Sequence, residues 1–161
     1  LLDPNTIAIQ FTILVEHLNF TMTIEPGVYN INNMNNDYAV MMYGNDAEEI
    51  PLVGVPNPNG QTQFVVAEAK PGSNTYTIRS TKFRYNIGAA PDNLQDKNYP
   101  FTMLGGFEWS IEPAGQDLYK VHIPNMNAYW FLPDGPSQTR VLIDGAQGRP
   151  EEVWRMVKVG E

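Results

Sequence analysis

Apolar and polar residues alternate along this chain in runs of four to six, and no stretch carries a helical stripe. Three runs open on a large aromatic residue: Phe64 in Gln63-Phe64-Val65-Val66, Trp109 in Glu108-Trp109-Ser110-Ile111 and Trp154 in Val153-Trp154-Arg155-Met156. Each aromatic has an apolar residue two positions on (Val66, Ile111, Met156), which puts both side chains on one face of a strand. Both intervals are 45 residues. A second landmark recurs as Tyr29-Asn30-Ile31, Tyr76-Thr77-Ile78 and Tyr119-Lys120-Val121, at intervals of 47 and 43 residues. Each copy follows a turn: Pro26-Gly27, Pro71-Gly72-Ser73-Asn74 and Ala114-Gly115-Gln116-Asp117.

Two more short runs lie between the landmarks of each unit, at 38–42 and 50–55, at 83–87 and 100–104, and at 128–132 and 140–143. Four strands per unit and three units predict about twelve short strands. Such strands, spaced by turn residues, indicate a sandwich or a barrel. Three blades are too few to close a propeller. The arrangement that remains is an all-β fold in which three four-stranded repeats close one barrel with pseudo-threefold symmetry, a β-trefoil. Phe64, Trp109 and Trp154 are then core residues rather than ligand platforms.

Residues 1–21 have a different pattern. Ile7, Ile9, Phe11 and Ile13 alternate, but no Lys or Arg precedes them, and Glu16 and His17 interrupt the apolar positions that follow. This lacks the basic start of a secretory leader and is too short for a membrane span. A cytoplasmic location is expected, with secretion the alternative. Asn19-Phe20-Thr21 matches a glycosylation sequon, which matters only in a secreted chain. Met22 resembles a natural start. The expected division is an N-terminal extension or upstream segment over 1–21 and a β-trefoil domain over 22–161.

Composition narrows the chemistry. The 161 residues make a one-domain chain, and 13 Gly with 13 Pro suit a fold rich in turns. Without cysteine there is no disulfide, thiolate zinc site or thiol nucleophile. A net charge of −8 argues against nucleic acid and against an anionic membrane surface as partners. The two histidines, His17 and His122, have no H-x-x-x-H or H-x-H companion, so no metal is implied. No nucleophile elbow or phosphate-binding loop occurs. Glu48-Glu49 and Glu151-Glu152 are read as solvated loop charges. The chain is therefore expected to be a monomeric binding protein without a cofactor, not an enzyme.

Binding by a β-barrel protein resides in its loops, and four are long: 43–49, 88–99, 133–139 and 144–152. At this point the residues resemble a known family. Pro26-Gly27-x-Tyr29-x-Ile31, Trp109-x-Ile111-Glu112-Pro113, residues 128–135 (Ala-Tyr-Trp-Phe-Leu-Pro-Asp-Gly), and the closing Val141-Leu142-Ile143 and Glu152-Val153-Trp154-Arg155 are similar to the β-trefoil serine protease inhibitors of mushrooms. The resemblance covers about residues 22–159. It implies that an exposed, preorganised loop enters a protease cleft like a substrate, one residue filling the S1 pocket. A trypsin-like pocket takes Arg or Lys there. The resemblance points to two loops. In 144–152 the candidates are Arg149, followed by Pro150, which would block cleavage. In 43–49 there is no cation, and Asn45 suits an asparagine-specific protease. Arg140 and Lys97 are the other basic loop candidates. The competing reading is a glycan-binding trefoil, with Asp37-Tyr38 and Asp134 beside Tyr129 and Trp130 as its parts.

Overall fold

The structure is a computed structural model that describes residues 24–44 and 46–160. The expected extension over 1–21 and the candidate Asn45 lie outside the described residues. Thirteen strands follow one another: β1 (Gly27–Asn33), β2 (Ala39–Met42), β3 (Leu52–Val55), β4 (Gln63–Glu68), β5 (Thr75–Ser80), β6 (Asn86–Gly88), β7 (Phe101–Met103), β8 (Trp109–Gly115), β9 (Leu118–His122), β10 (Tyr129–Phe131), β11 (Thr139–Arg140), β12 (Leu142–Asp144) and β13 (Trp154–Lys158). Two single 3-10 turns interrupt them, at Pro91–Asn93 and Pro150–Glu152.

Six strands close a ring. β1 pairs with β4, β4 with β5, β5 with β8, β8 with β9, β9 with β13, and β13 returns to β1, all antiparallel. Closure leaves this barrel without a free edge to template aggregation. Of the seven remaining strands, six form three hairpins, β2–β3, β6–β7 and β10–β12, one per unit, and β11 pairs with β3. They cap one end of the barrel and are laced together by main-chain bonds. Leu52 N–H donates to Pro100, Val141 N–H to Leu52 and Ile143 N–H to Asn98.

The two repeating landmarks meet face to face. Tyr29 lies opposite Phe64, Tyr76 opposite Trp109 and Tyr119 opposite Trp154, the same register in every unit. Phe64, Trp109 and Trp154 have no exposed surface. Burying three such rings, each removing about 150–250 Å² of apolar surface, supplies much of the core's stabilisation. Trp109 Nε1–H donates to Ile87 O at 2.8 Å and Trp154 Nε1–H to Trp130 O at 3.3 Å, so each indole ties a barrel strand to the cap hairpin of its unit. Phe64 has no such donor. Trp130 reaches into the same core from the cap, edge-on to Trp109 at 5.1 Å and to Trp154 at 6.1 Å.

The expectation of twelve strands needs one adjustment. The run expected at 140–143 divides at Val141, whose amide turns to Leu52 O while its side chain is fully buried. The result is two pieces with different partners, β11 on β3 and β12 on β10.

Candidate functional site

The loop between β12 and β13, residues 144–152, is built around one buried carboxylate. Glu152 is 1% exposed. Its Oε1 accepts the Gln147 N–H at 2.7 Å and its Oε2 the Arg149 N–H at 2.6 Å. This corrects the reading of Glu152 as a solvated loop charge: it is the internal brace of the loop. Pro at the first position of the 3-10 turn and a carboxylate at its third, in Arg149-Pro150-Glu151-Glu152, form a capping arrangement in which the acid reaches back to the residue before the turn. That signal is present in the sequence.

Two further loop amides are held as well. Gly145 N–H donates to Asp144 Oδ1 at 2.8 Å and Ala146 N–H to Asn127 Oδ1 at 3.0 Å. From the other side, Glu151 O accepts the Leu132 N–H at 3.0 Å and the Asn33 Nδ2–H at 2.9 Å, and Asn33 is itself fully buried. Gly148 takes φ +70°, a left-handed backbone that favours glycine, and the chain leaves it extended at Arg149 (φ −86°, ψ 147°). Ala146, Gln147 and Gly148 form the exposed tip.

Burial alone would push the Glu152 pKa up. The two backbone N–H groups, from Arg149 and Gln147, and the charges of Arg149 and Lys120 outweigh that and hold it below the ordinary carboxylate value. Arg149 lies back along its own loop, with its guanidinium 4.3 Å from the Phe131 ring and Nε 3.5 Å from Glu152 Oε2. Its side chain is 30% exposed, and Nε and Nη2 are buried without a hydrogen-bond partner. Pro150 is exposed at the start of the turn.

The other cations are placed differently. Lys97 follows the 3-10 turn of the β6–β7 loop, where its N–H closes a helical turn onto Asn93 O. Its ammonium bonds Glu49 Oε1 at 2.6 Å and lies 4.8 Å from the Phe101 ring centre. The hydrogen bond to Glu49 leads the causes that raise its pKa. Glu49 thus belongs to an ion pair, and Glu48 caps the Leu104 N–H at 3.0 Å. Arg140 sits within β11, paired with Val53, and stacks 4.3 Å from the Tyr99 ring. Lys97 and Arg140 therefore rest on two neighbouring rings, Phe101 and Tyr99, which are themselves edge-on at 6.0 Å. Arg149 is separate from them, in the loop braced by Glu152.

The parts proposed for sugar binding do not converge. Trp130 is fully buried, Tyr38 packs partly buried against the core, and Asp134 accepts a 2.6 Å bond from Asn35. Asp37 accepts from Asn32 and pairs with Arg155. Tyr129 instead joins a surface cluster the sequence reading did not find. Its hydroxyl donates to Glu112 Oε1 at 2.8 Å, which also lies 2.8 Å from His122 Nε2, and the His122 ring stacks on Tyr129 at 4.6 Å. Burial first, and then the bond to Glu112, push the Tyr129 hydroxyl up to about 12. His122 does project outward from the barrel strand, as its alternation with Val121 and Ile123 requires. Among the described residues, no group of three or more acids, His or Cys could hold a metal ion, and no helix is long and apolar enough to cross a membrane.

The sequence matches no protein-family model and no curated protein. Solved structures do match. The Rhizoctonia solani agglutinin superposes with a TM-score of 0.75 at 14% identity, covering 86% of this chain and 99% of that one. The fold is a β-trefoil. The Macrolepiota procera ricin B-like lectin, solved in complex with lactose, gives 0.72 at 17% identity, over 84% and 99% of the two chains. A proteinase inhibitor from Coprinopsis cinerea gives 0.67 at 16%, over 84% and 99%. β-trefoils of fungal lectins and of a fungal proteinase inhibitor thus match this trefoil to similar degrees. At these identities the likeness concerns architecture, and the loops that distinguish the proteins carry the functional argument.

Proposed function

We propose that this β-trefoil is an inhibitor of serine proteases of trypsin-like specificity, which it engages with the loop at 144–152 and with Arg149 in the S1 pocket. The single observation that carries the reading is the extended backbone of Arg149, held at its own N–H by the buried Glu152 carboxylate. A loop already bonded in its bound shape loses little conformational entropy on binding, so the contact energy is retained as affinity. Arg140 and Lys97 do not meet this requirement. The first has its backbone committed to a strand pair, and the second follows a helical turn.

For Arg149 to reach S1 its side chain turns off Phe131 while its backbone stays in place. The move is favourable on chemical grounds. Two guanidinium nitrogens that lack a hydrogen bond in the resting position would meet the carboxylate at the base of a trypsin-like pocket, and such charge-assisted bonds offset the loss of the 3.5 Å ion pair with Glu152. Glu152 keeps its two backbone donors when the side chain leaves. The bond that would be attacked lies between Arg149 and Pro150, and the Pro150 nitrogen is the tertiary amide of a ring held in a 3-10 turn, so turnover is slow or absent.

A panel of trypsin, chymotrypsin, subtilisin and a legumain-type protease tests the proposal. Inhibition of trypsin alone, or most strongly, is the expected result, and no inhibition of any serine protease would refute it. A second reading, glycan binding, has one observation in its favour: the Tyr129–Glu112–His122 cluster sets an aromatic ring beside a half-exposed carboxylate. A glycan array decides it, since clear sugar binding without protease inhibition would replace the first reading with the second.

A further inference from the structure

On the cap, side chains of three units come together around Arg140. Tyr43 and Val53 come from the first hairpin, Tyr99 from the loop of the second, and Gln138 and Arg140 from the third. Between Tyr43, Pro51, Val53, Gln138 and Arg140 lies an open depression of about 320 Å³, near the lower bound of ligand pockets at about 300 Å³. Three of its lining residues, Tyr43, Pro51 and Val53, offer apolar surface. Val53 is buried, while Tyr43 keeps 47% of its surface exposed although it is a large aromatic residue.

The polar side of the depression is formed by Arg140 and Gln138. Among the described residues no ion pair engages Arg140, a state it shares with Arg79, Lys82, Arg84 and Lys120. Lys97, on the neighbouring Phe101 ring, is paired with Glu49, and Arg149 with Glu152. The Arg140 guanidinium rests with one face on Tyr99 and is exposed to solvent. Stacking of this kind holds the planar fork in place and leaves its N–H edge available for a bidentate acceptor. Beside it, Gln138 is held at φ +72°, a backbone region that costs a non-glycine residue of order 1–3 kcal/mol and that clusters at binding sites. Its N–H donates to Gly54 O at 2.8 Å, which fixes the residue at the rim.

We propose that this depression binds a small organic carboxylate with an apolar body, the carboxylate on Arg140 with Gln138 at the rim, and the body against Tyr43, Pro51 and Val53. The complementarity is of charge and of surface: a stacked guanidinium without an acidic partner stands at the edge of an apolar hollow. The site is independent of the loop at 144–152 and of the protease reading.

Titration of the full chain with phenylacetate, phenylacetamide and galacturonate, followed by amide chemical shifts, tests the proposal. Phenylacetate is expected to shift the amides of Tyr43, Val53, Gln138 and Arg140. Phenylacetamide, which keeps the ring and lacks the charge, is expected to bind about tenfold or more weakly, the worth of a charge-assisted bond. Arg140→Gln should reduce phenylacetate to the level of the amide, and Tyr43→Ala should weaken both ligands together. Arg140→Lys, which keeps the charge but not the fork, should fall between. Equal binding of phenylacetate and phenylacetamide would overturn the proposal. So would undiminished binding in an Arg140→Gln protein with a native spectrum, or no shift at these residues with any ligand. Preferential binding of galacturonate would assign the hollow to an acidic sugar and overturn it equally.

Discussion

The backbone N–H of Arg149 donates a 2.6 Å hydrogen bond to the carboxylate of Glu152, a side chain that is 1% exposed. Residue and brace belong to the same loop, so the proposed inhibitory residue carries its own support. Glu152→Gln keeps the volume but removes the charge that two backbone donors and one guanidinium face. The substitution should cost about 1–3 kcal/mol in stability, because a buried site built for an anion is left imperfectly paired. Thermal melting measures that loss. Faster hydrogen exchange at Gln147 and Arg149, with the barrel amides unchanged, would show that the loop itself has loosened.

Acid should act on the same group. The Glu152 pKa lies lower in the folded protein than in the unfolded chain, so ionised Glu152 stabilises the fold at pH values above the ordinary glutamate value of about 4.3. That stability is lost as pH falls from there through the folded pKa. Unfolding free energy measured from pH 7 downward should stay level with respect to this group and then decline below about 4.3, and Glu152→Gln should remove part of the decline. An identical acid limb in the variant would show that other carboxylates account for it.

The three barrel aromatics are equivalent in position but not in chemistry. Trp154→Phe puts in unit three what Phe64 already is in unit one, and it should cost about 1–2 kcal/mol for the lost Nε1–H bond to Trp130 O and the smaller ring. Trp109→Ala leaves a cavity against Trp130 and Phe107 and should cost about 3–5 kcal/mol. Denaturant midpoints compare the two. Equal losses would mean that the hydrogen bond, not the packing, dominates.

Much of the fold was legible because its signal is repeated. The spacing of Phe64, Trp109 and Trp154 identified the unit, and the Tyr29, Tyr76 and Tyr119 landmarks proved to be their cross-strand partners. The split at Val141 was not legible, since it arises from a bond to a strand of another unit, Val141 N–H to Leu52 O. The site was read less well than the fold. Arg149 was singled out as a cation in a loop, but its pose on Phe131 depends on a strand about twenty residues earlier. Glu152 looked like one more surface acid, although the Arg-Pro-Glu-Glu order carried the mark of a cap. The Arg140 hollow is lined by residues of the first and third units, and no local pattern announces it.

The other two cations separate the proposed loop from the cap. Lys97→Ala breaks an ion pair with Glu49, and Arg140→Gln removes a stacked guanidinium. Neither should change the inhibition constant for trypsin by more than about twofold, since surface charges away from an interface core contribute little. A larger loss in either variant would move the protease contact to the cap.

The most direct test of the account is the trypsin inhibition constant of Arg149→Ala and Arg149→Lys beside the unchanged protein, each confirmed folded by thermal melting. The account predicts that Arg149→Ala loses about 3 kcal/mol of binding, more than a hundredfold, as for an interface hot spot, while Arg149→Lys retains most of it because the S1 pocket also takes lysine. Trypsin inhibition that is unchanged in Arg149→Ala would contradict the account.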